Sequence, residues 1–199
     1  MQFTSQPPEV PTPEIVDRYN EQFNTSDVGL SDRSLELLFS QFPGNVEPEH
    51  VLLKVMALNA TYNTRVLDIH LVKVAIAICK TSIDEKLALG SPELVNDILF
   101  AFKSVGIKRY YSFVTKYCSW HQPEKYPIYD SYVDDLLWQY KNAYRFTAFR
   151  RYALADYIQF KSVIEAFRNI YALTGYSYKQ LDKFLWGYGK EYYWTRNRP

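Results

Sequence analysis

Apolar residues recur along this chain at spacings of three and four, the period of helices with one face turned inward. From Pro13, with Glu14 behind it, the stripe is Ile15, Val16, Tyr19 and Phe23. Proline at the first turn loses nothing by lacking an N–H. A polar break over 24–30 follows, and Ser31 or Asp32 then caps a second helix carrying Leu35, Leu38, Phe39 and Phe42, which Pro43-Gly44 stops. Pro48 opens a stronger helix, from Glu49 to about Ala60, with Val51, Leu52, Val55, Met56 and Leu58 inside. The polar junction Asn59-Ala60-Thr61-Tyr62-Asn63-Thr64 separates it from an apolar helix over Val66 to Cys79. A short helix, Ile83 to Leu89, ends at Gly90, and Ser91-Pro92-Glu93 starts the next, carried by Leu94, Val95, Ile98, Leu99 and Phe102.

Beyond Gly106 the pattern predicts a helix with Tyr110, Phe113, Val114 and Tyr117 as its core face, with Lys108, Arg109 and Lys116 off that stripe or at its edge. Pro123 and Pro127 interrupt helix formation, and Asp130 stands at the start of an amphipathic helix over Ser131 to Tyr140. A long helix over Ala153 to Ala172, capped near Asp156, and a last one over Lys179 to Gly187 complete the series. No segment alternates with period two and no solenoid period recurs, so the expected class is all-α, with about ten helices. Residues 1–13, rich in Pro, Ser, Thr and Gln, read as an extended or loosely attached arm. Residues 14–199 read as a single domain, a monomer by default.

At 199 residues, with 47% hydrophobic and 17% aromatic residues, the chain is long enough to bury a sizeable core, and its composition is not that of a disordered protein. Its formal net charge of +1 supplies no global field for nucleic acid, so any such footprint is local. Basic residues gather at Lys103, Lys108, Arg109 and Lys116, at Lys141, Arg145, Arg150 and Arg151, and at Lys190, Arg196 and Arg198. Two cysteines without CxxC spacing suggest neither a zinc site nor a disulfide framework, and the lone His121 makes no metal site; no metal and no cofactor is expected. No apolar run reaches membrane length and no signal sequence opens the chain, so a cytoplasmic location without a membrane partner is expected.

The stretch from Ser104 to Val133 orders a glycine turn, a basic-aromatic helix, a proline-bounded loop and an aspartate at a helix start. In that order it resembles the helix-hairpin-helix DNA glycosylase superfamily. Pro127-Ile128-Tyr129-Asp130-Ser131-Tyr132-Val133 stands where that family has its proline, apolar residue, aspartate and following helix. Arg109-Tyr110-Tyr111-Ser112-Phe113-Val114-Thr115-Lys116-Tyr117 is most similar to the archaeal 8-oxoguanine glycosylase branch. The resemblance implies two helical lobes around a cleft that receives double-stranded DNA, and excision of an extruded, oxidised purine such as 8-oxoguanine. It implies Asp130 as the carboxylate that stabilises the developing sugar cation, and a hairpin at Gly106, with Lys108 and Arg109, that meets a DNA phosphate.

The family's Schiff-base lysine has no single counterpart. Matching Phe113 and Lys116 sets Arg109 at the nucleophile position, while matching the aspartate without gaps sets Ser112 there. Lys108 and Lys116 are the lysines at hand. Asn59, followed by Thr61, occupies the place of the family's gap-filling glutamine, and capping the junction is the competing role for both. Trp120, Tyr129, Tyr132 and Trp186 are the stacking faces for a base, with ordinary core packing as the competing reading. A non-catalytic DNA- or protein-binding module on the same fold is the alternative function, and DNA binding would associate the protein with the nucleoid.

Overall fold

Ten α-helices and one 3-10 helix make up the regular structure of residues 6–197, the part of the chain that the computed structural model describes, and these residues contain no strand. The helices are α1 (Pro13–Thr25), α2 (Asp27–Gln41), α3 (Pro48–Tyr62), α4 (Asp68–Thr81), α5 (Asp84–Leu89), α6 (Glu93–Ser104), α7 (Tyr111–His121), α8 (Ser131–Tyr144), α9 (Tyr157–Ile170) and α10 (Tyr178–Arg196). The 3-10 helix is Arg151–Ala155. None of the described helices is long and apolar enough to cross a membrane.

The chain divides into two compact units, one formed by residues 26–128 and the other by the N-terminal residues up to Thr25 together with residues from Tyr129 onward. In the unit of residues 26–128, α7 packs against α2, α3 and α6, and α4 packs against α3 and α6. Eight of its eleven residues, Tyr111, Phe113–Ser119, are buried. Periodicity predicted one core face and one cationic face for this helix; surrounded by three helices, it has almost no face left for solvent.

In the other unit α10 packs against both α1 and α8. The expected last helix stopped at Gly187, yet α10 runs through Gly187 and Gly189 to Arg196. Close packing explains both glycines. A Cβ on Gly189 would stand 3.0 Å from the Tyr132 carbonyl oxygen of α8, and one on Gly187 3.0 Å from the Tyr19 ring of α1. Burial of the contacting faces outweighs the roughly 1 kcal/mol that each glycine costs a helix. The helix opens with a capping box, Ser177 Oγ accepting from Gln180 N while Gln180 Oε1 accepts from Ser177 N. The helix predicted over Ala153 to Ala172 is divided at Asp156, whose carboxylate accepts from Gln159 N at 3.1 Å and caps α9. Towards the N-terminus, α2 starts at Asp27, inside the expected polar break, because Ser26 is extended and sets the helix entry there.

The arm is fastened rather than loose over its described residues. Tyr140 and Tyr144 lie one turn apart on α8, and Tyr188 and Tyr192 one turn apart on α10. The Tyr140 hydroxyl donates to Glu9 O (2.8 Å), Tyr144 to Pro8 O (2.6 Å) and Tyr192 to Gln6 O (2.7 Å), while the Tyr188 hydroxyl accepts from Glu9 N (2.6 Å). Pro8 and Pro11 of this segment are buried. Four of the eighteen tyrosines thus satisfy the backbone of a stretch that has no secondary structure to satisfy it.

Candidate functional site

The turn between α6 and α7 is built as the glycine predicts. Gly106 has φ +73°, its N–H bonds Lys103 O (3.1 Å), and the following Ile107 N–H reaches back to Phe102 O (2.9 Å). This is a Schellman closure of α6, with Ile107 buried as its apolar contact. An added Cβ at Gly106 would meet nothing within 4 Å, so backbone conformation alone requires glycine here. Lys103, Ser104, Lys108 and Arg109 are exposed around the turn, and the Arg109 guanidinium lies 4.8 Å from the Tyr111 ring. Tyr110, the N-cap of α7, makes no side-chain cap hydrogen bond. Exposed cations beside a helix N-terminus suit an oxyanion.

Lys116 is placed differently from the expectation. It is buried, at 3% exposure, with its ammonium donating to Ser112 Oγ (2.7 Å) and lying 5.5 Å from the Tyr62 ring. The Trp120 ring meets the same Tyr62 at 6.4 Å, and the Tyr62 hydroxyl donates to buried Asp32 (2.9 Å). Of the expected site residues, Lys116 and Trp120 therefore converge on one aromatic at the end of α3. Asn59 is inside α3 rather than on a junction, because the helix continues to Tyr62. Its Oδ1 accepts from Thr64 Oγ1 (2.7 Å) and Val66 N (3.0 Å), and its Nδ2 donates to Val66 O (3.0 Å). In this state its amide staples the turn into α4. Thr61 is exposed on the last turn of α3.

After α7, the chain runs through a turn at Gln122–Tyr126. Fully buried Tyr126 anchors the loop by its hydroxyl to the carbonyls of Lys86 and Ser91, both at 3.0 Å. Pro127 and Ile128 are buried and Asp130 emerges extended, φ −142° and ψ 157°, as the N-cap of α8. Its Oδ1 accepts from Tyr132 N at 2.9 Å, and the residue remains part-exposed. Asp130, Tyr129, Tyr132 and Trp186 belong to the unit of residues from Tyr129 onward; Lys108, Arg109, Lys116 and Trp120 belong to the other. The Tyr129 hydroxyl donates to Asp134 (3.2 Å) over the Phe160 ring, and burial, then the Asp134 charge, pushes it up to about 12. Tyr132 packs on Tyr193, and Trp186 packs on Phe23 beneath Lys190.

The structure also holds a polar cluster that sequence reasoning passed over. Lys54, on α3, is fully buried; its ammonium donates to Phe42 O (3.0 Å), Gly44 O (2.8 Å) and Asn45 Oδ1 (3.0 Å), and stands 3.2 Å from His121 Nε2. Asn45 is clasped in turn by the Asp84 carboxylate, through its backbone N–H (3.1 Å) and its Nδ2 (2.6 Å), and by the Tyr117 hydroxyl. Burial pushes the lysine down from its usual 10.5 to about 8, against the pull of Asp84 and Cys79, and burial followed by the Lys54 charge holds His121 down at about 3. The three ammonium protons are matched by the two carbonyls and the Asn45 amide oxygen, and the imidazole packs against the same nitrogen. A desolvated lysine is the usual form of an amine nucleophile, but this one is inaccessible and closes the carbonyls at the end of α2. The available signal was its position: Val51, Lys54, Val55 and Leu58 form the inward stripe, so the lysine occupies a core site.

The geometry defines an all-α protein with an exposed cationic hairpin and an aspartate-capped helix. Residues 15–125 match the family described as HI_0787_N, N-terminal domain, and the chain belongs to that family. It is also similar to an uncharacterized protein of Haemophilus influenzae (strain ATCC 51907 / DSM 11121 / KW20 / Rd), 38% identical over 143 residues that span 72% of this chain and 68% of the relative. No solved structure matches it significantly.

Proposed function

We propose that this protein is a DNA base-excision protein of helix-hairpin-helix glycosylase type, which binds duplex DNA and hydrolyses the N-glycosidic bond of an extruded oxidised purine such as 8-oxoguanine. The observation that carries the reading is the succession of the Schellman turn at Gly106, the exposed Lys108 and Arg109, the proline-bounded loop and the part-exposed carboxylate of Asp130. In this reading the hairpin holds a phosphate through helix N–H groups and the two cations. Asp130 carries the negative charge that favours an oxocarbenium-like sugar and orients the attacking water. Its hydrogen bond from Tyr132 N fixes the carboxylate at the helix start. Lys116, buried against Ser112 and Tyr62, favours hydrolysis over a Schiff-base route.

A second reading keeps DNA binding and drops excision: Arg109 at the nucleophile register, together with the burial of Lys116, favours a non-catalytic DNA-binding module. The test is a single-turnover assay on a duplex with 8-oxoguanine opposite cytosine, with and without borohydride, beside Asp130→Asn. Asparagine caps a helix as well as aspartate, so this variant stays folded. Base release lost on that substitution supports the glycosylase, and a trapped adduct would restore Lys108 or Lys116 as nucleophile. Salt-sensitive duplex binding without release selects the module, and absence of duplex binding refutes both.

A further inference from the structure

The basic-aromatic segment from the last turn of α8 to the 3-10 helix has no part in the function proposed above. Its four cations are differently occupied. Arg151 pairs with Asp134 (2.7 Å) and Asp135 (3.5 Å), and Arg150 donates to the Tyr152 hydroxyl (3.1 Å). Lys141 and Arg145 make no ion pair among the described residues. The Lys141 ammonium lies 4.4 Å from the centre of the Trp138 ring, which packs edge-on against Phe149. Lys141, Asn142, Arg145, Thr147 and Ala148 line an open cavity of about 380 Å³, and none of these lining residues is acidic. Arg145 ends α8 in the left-handed conformation, φ 51° and ψ 35°, which glycine or asparagine adopts at less cost. The helix closure itself needs only its backbone, Arg145 N bonding Lys141 O at 3.0 Å.

We infer that this cavity is a binding site for a phosphoryl group, carried by a nucleotide or by a nucleic-acid strand. Arg145 supplies a planar fork matched to two phosphate oxygens and Lys141 a point charge, while the Asn142 amide and the Thr147 hydroxyl supply neutral donors. Two cations that make no ion pair among the described residues give the cavity a positive lining. They outweigh the fractional negative charge at the C-terminal end of α8, roughly half an elementary charge. The volume falls at the small end of ligand sites and admits a phosphate with its sugar. The site is independent of base excision, since it uses none of the hairpin residues and no Asp130.

The test uses the full-length protein, with inorganic pyrophosphate titrated calorimetrically and a fluorescent oligothymidylate titrated by anisotropy across salt concentrations. Wild type is compared with Lys141→Gln, Arg145→Gly and the double variant. Arg145→Gly removes the cation while easing the left-handed backbone, so its Tm is expected at or above that of wild type. Each single change is expected to weaken binding about tenfold and, for the oligonucleotide, to reduce the slope of log affinity against log salt by about 0.7. Pyrophosphate binding lost in the variants identifies a nucleotide-sized ligand; oligonucleotide binding alone, lost in the same variants, identifies a strand. Wild-type affinity and salt slope in the double variant overturn the inference, as does failure of both probes to bind the wild type.

Discussion

Replacing Lys54 by methionine gives a stability change whose size depends on pH in a way only a buried, desolvated ammonium produces. At pH 7 two effects oppose each other. The Phe42 and Gly44 carbonyls lose their donor, and Asn45 Oδ1 keeps only the Tyr117 hydroxyl, a loss of about 2–3 kcal/mol. Against it, folding no longer carries an ammonium lowered from 10.5 to about 8, a relief of about 3 kcal/mol at roughly 1.4 kcal/mol per tenfold change. The variant should therefore lie close to wild type at pH 7. Between pH 8 and 10.5 the unfolded chain holds the lysine proton more tightly than the fold does, so Lys54 contributes stability that rises with pH and that the variant lacks. By pH 10 the wild type should have gained about 2–3 kcal/mol over Lys54→Met. Tyr126 and Tyr140, both raised by burial, titrate in both proteins and cancel in the difference. Urea unfolding followed by circular dichroism and tryptophan fluorescence at pH 7, 8, 9 and 10 measures it. A difference constant to within about 0.5 kcal/mol would mean that Lys54 keeps an ordinary affinity for its proton, and the account of the cluster would fall.

Further outcomes follow from the same geometry. His121, ordinarily near 6.5 and here held to about 3, contributes stability that is complete above pH 6.5 and is lost as pH falls towards 3; His121→Gln should flatten the acid side of the unfolding profile. Gly106→Ala should cost about 1–2 kcal/mol from its positive φ alone. Gly189→Ala should cost about 2 kcal/mol or more, since its methyl meets the Tyr132 carbonyl, and thermal unfolding compares the two. Tyr188→Phe leaves Glu9 N without its acceptor and should cost about 1 kcal/mol, with faster proteolysis before Pro13 as the readout; unchanged cleavage would argue against a fastened arm.

Local chemistry was legible in the sequence. Gly106 takes left-handed backbone, Asp130 and Asp156 cap helices and the apolar spacings mark ten helical stretches, because each depends on residues within one or two turns of chain. The candidate site was legible only where it is local, as a turn with cations and an aspartate at a helix start. Tertiary structure alone decided that Lys116 is buried, since that depends on three helices surrounding α7, and that Asn59 spends its amide on the turn into α4. It decided that Gly187 and Gly189 admit neighbours instead of ending α10. It also decided that the arm is held by tyrosines 131 or more residues away. Lys54 shows the reason most directly: a helical stripe tells which residues face inward, and only the carbonyls, the amide and the imidazole waiting there determine whether a charge can be kept.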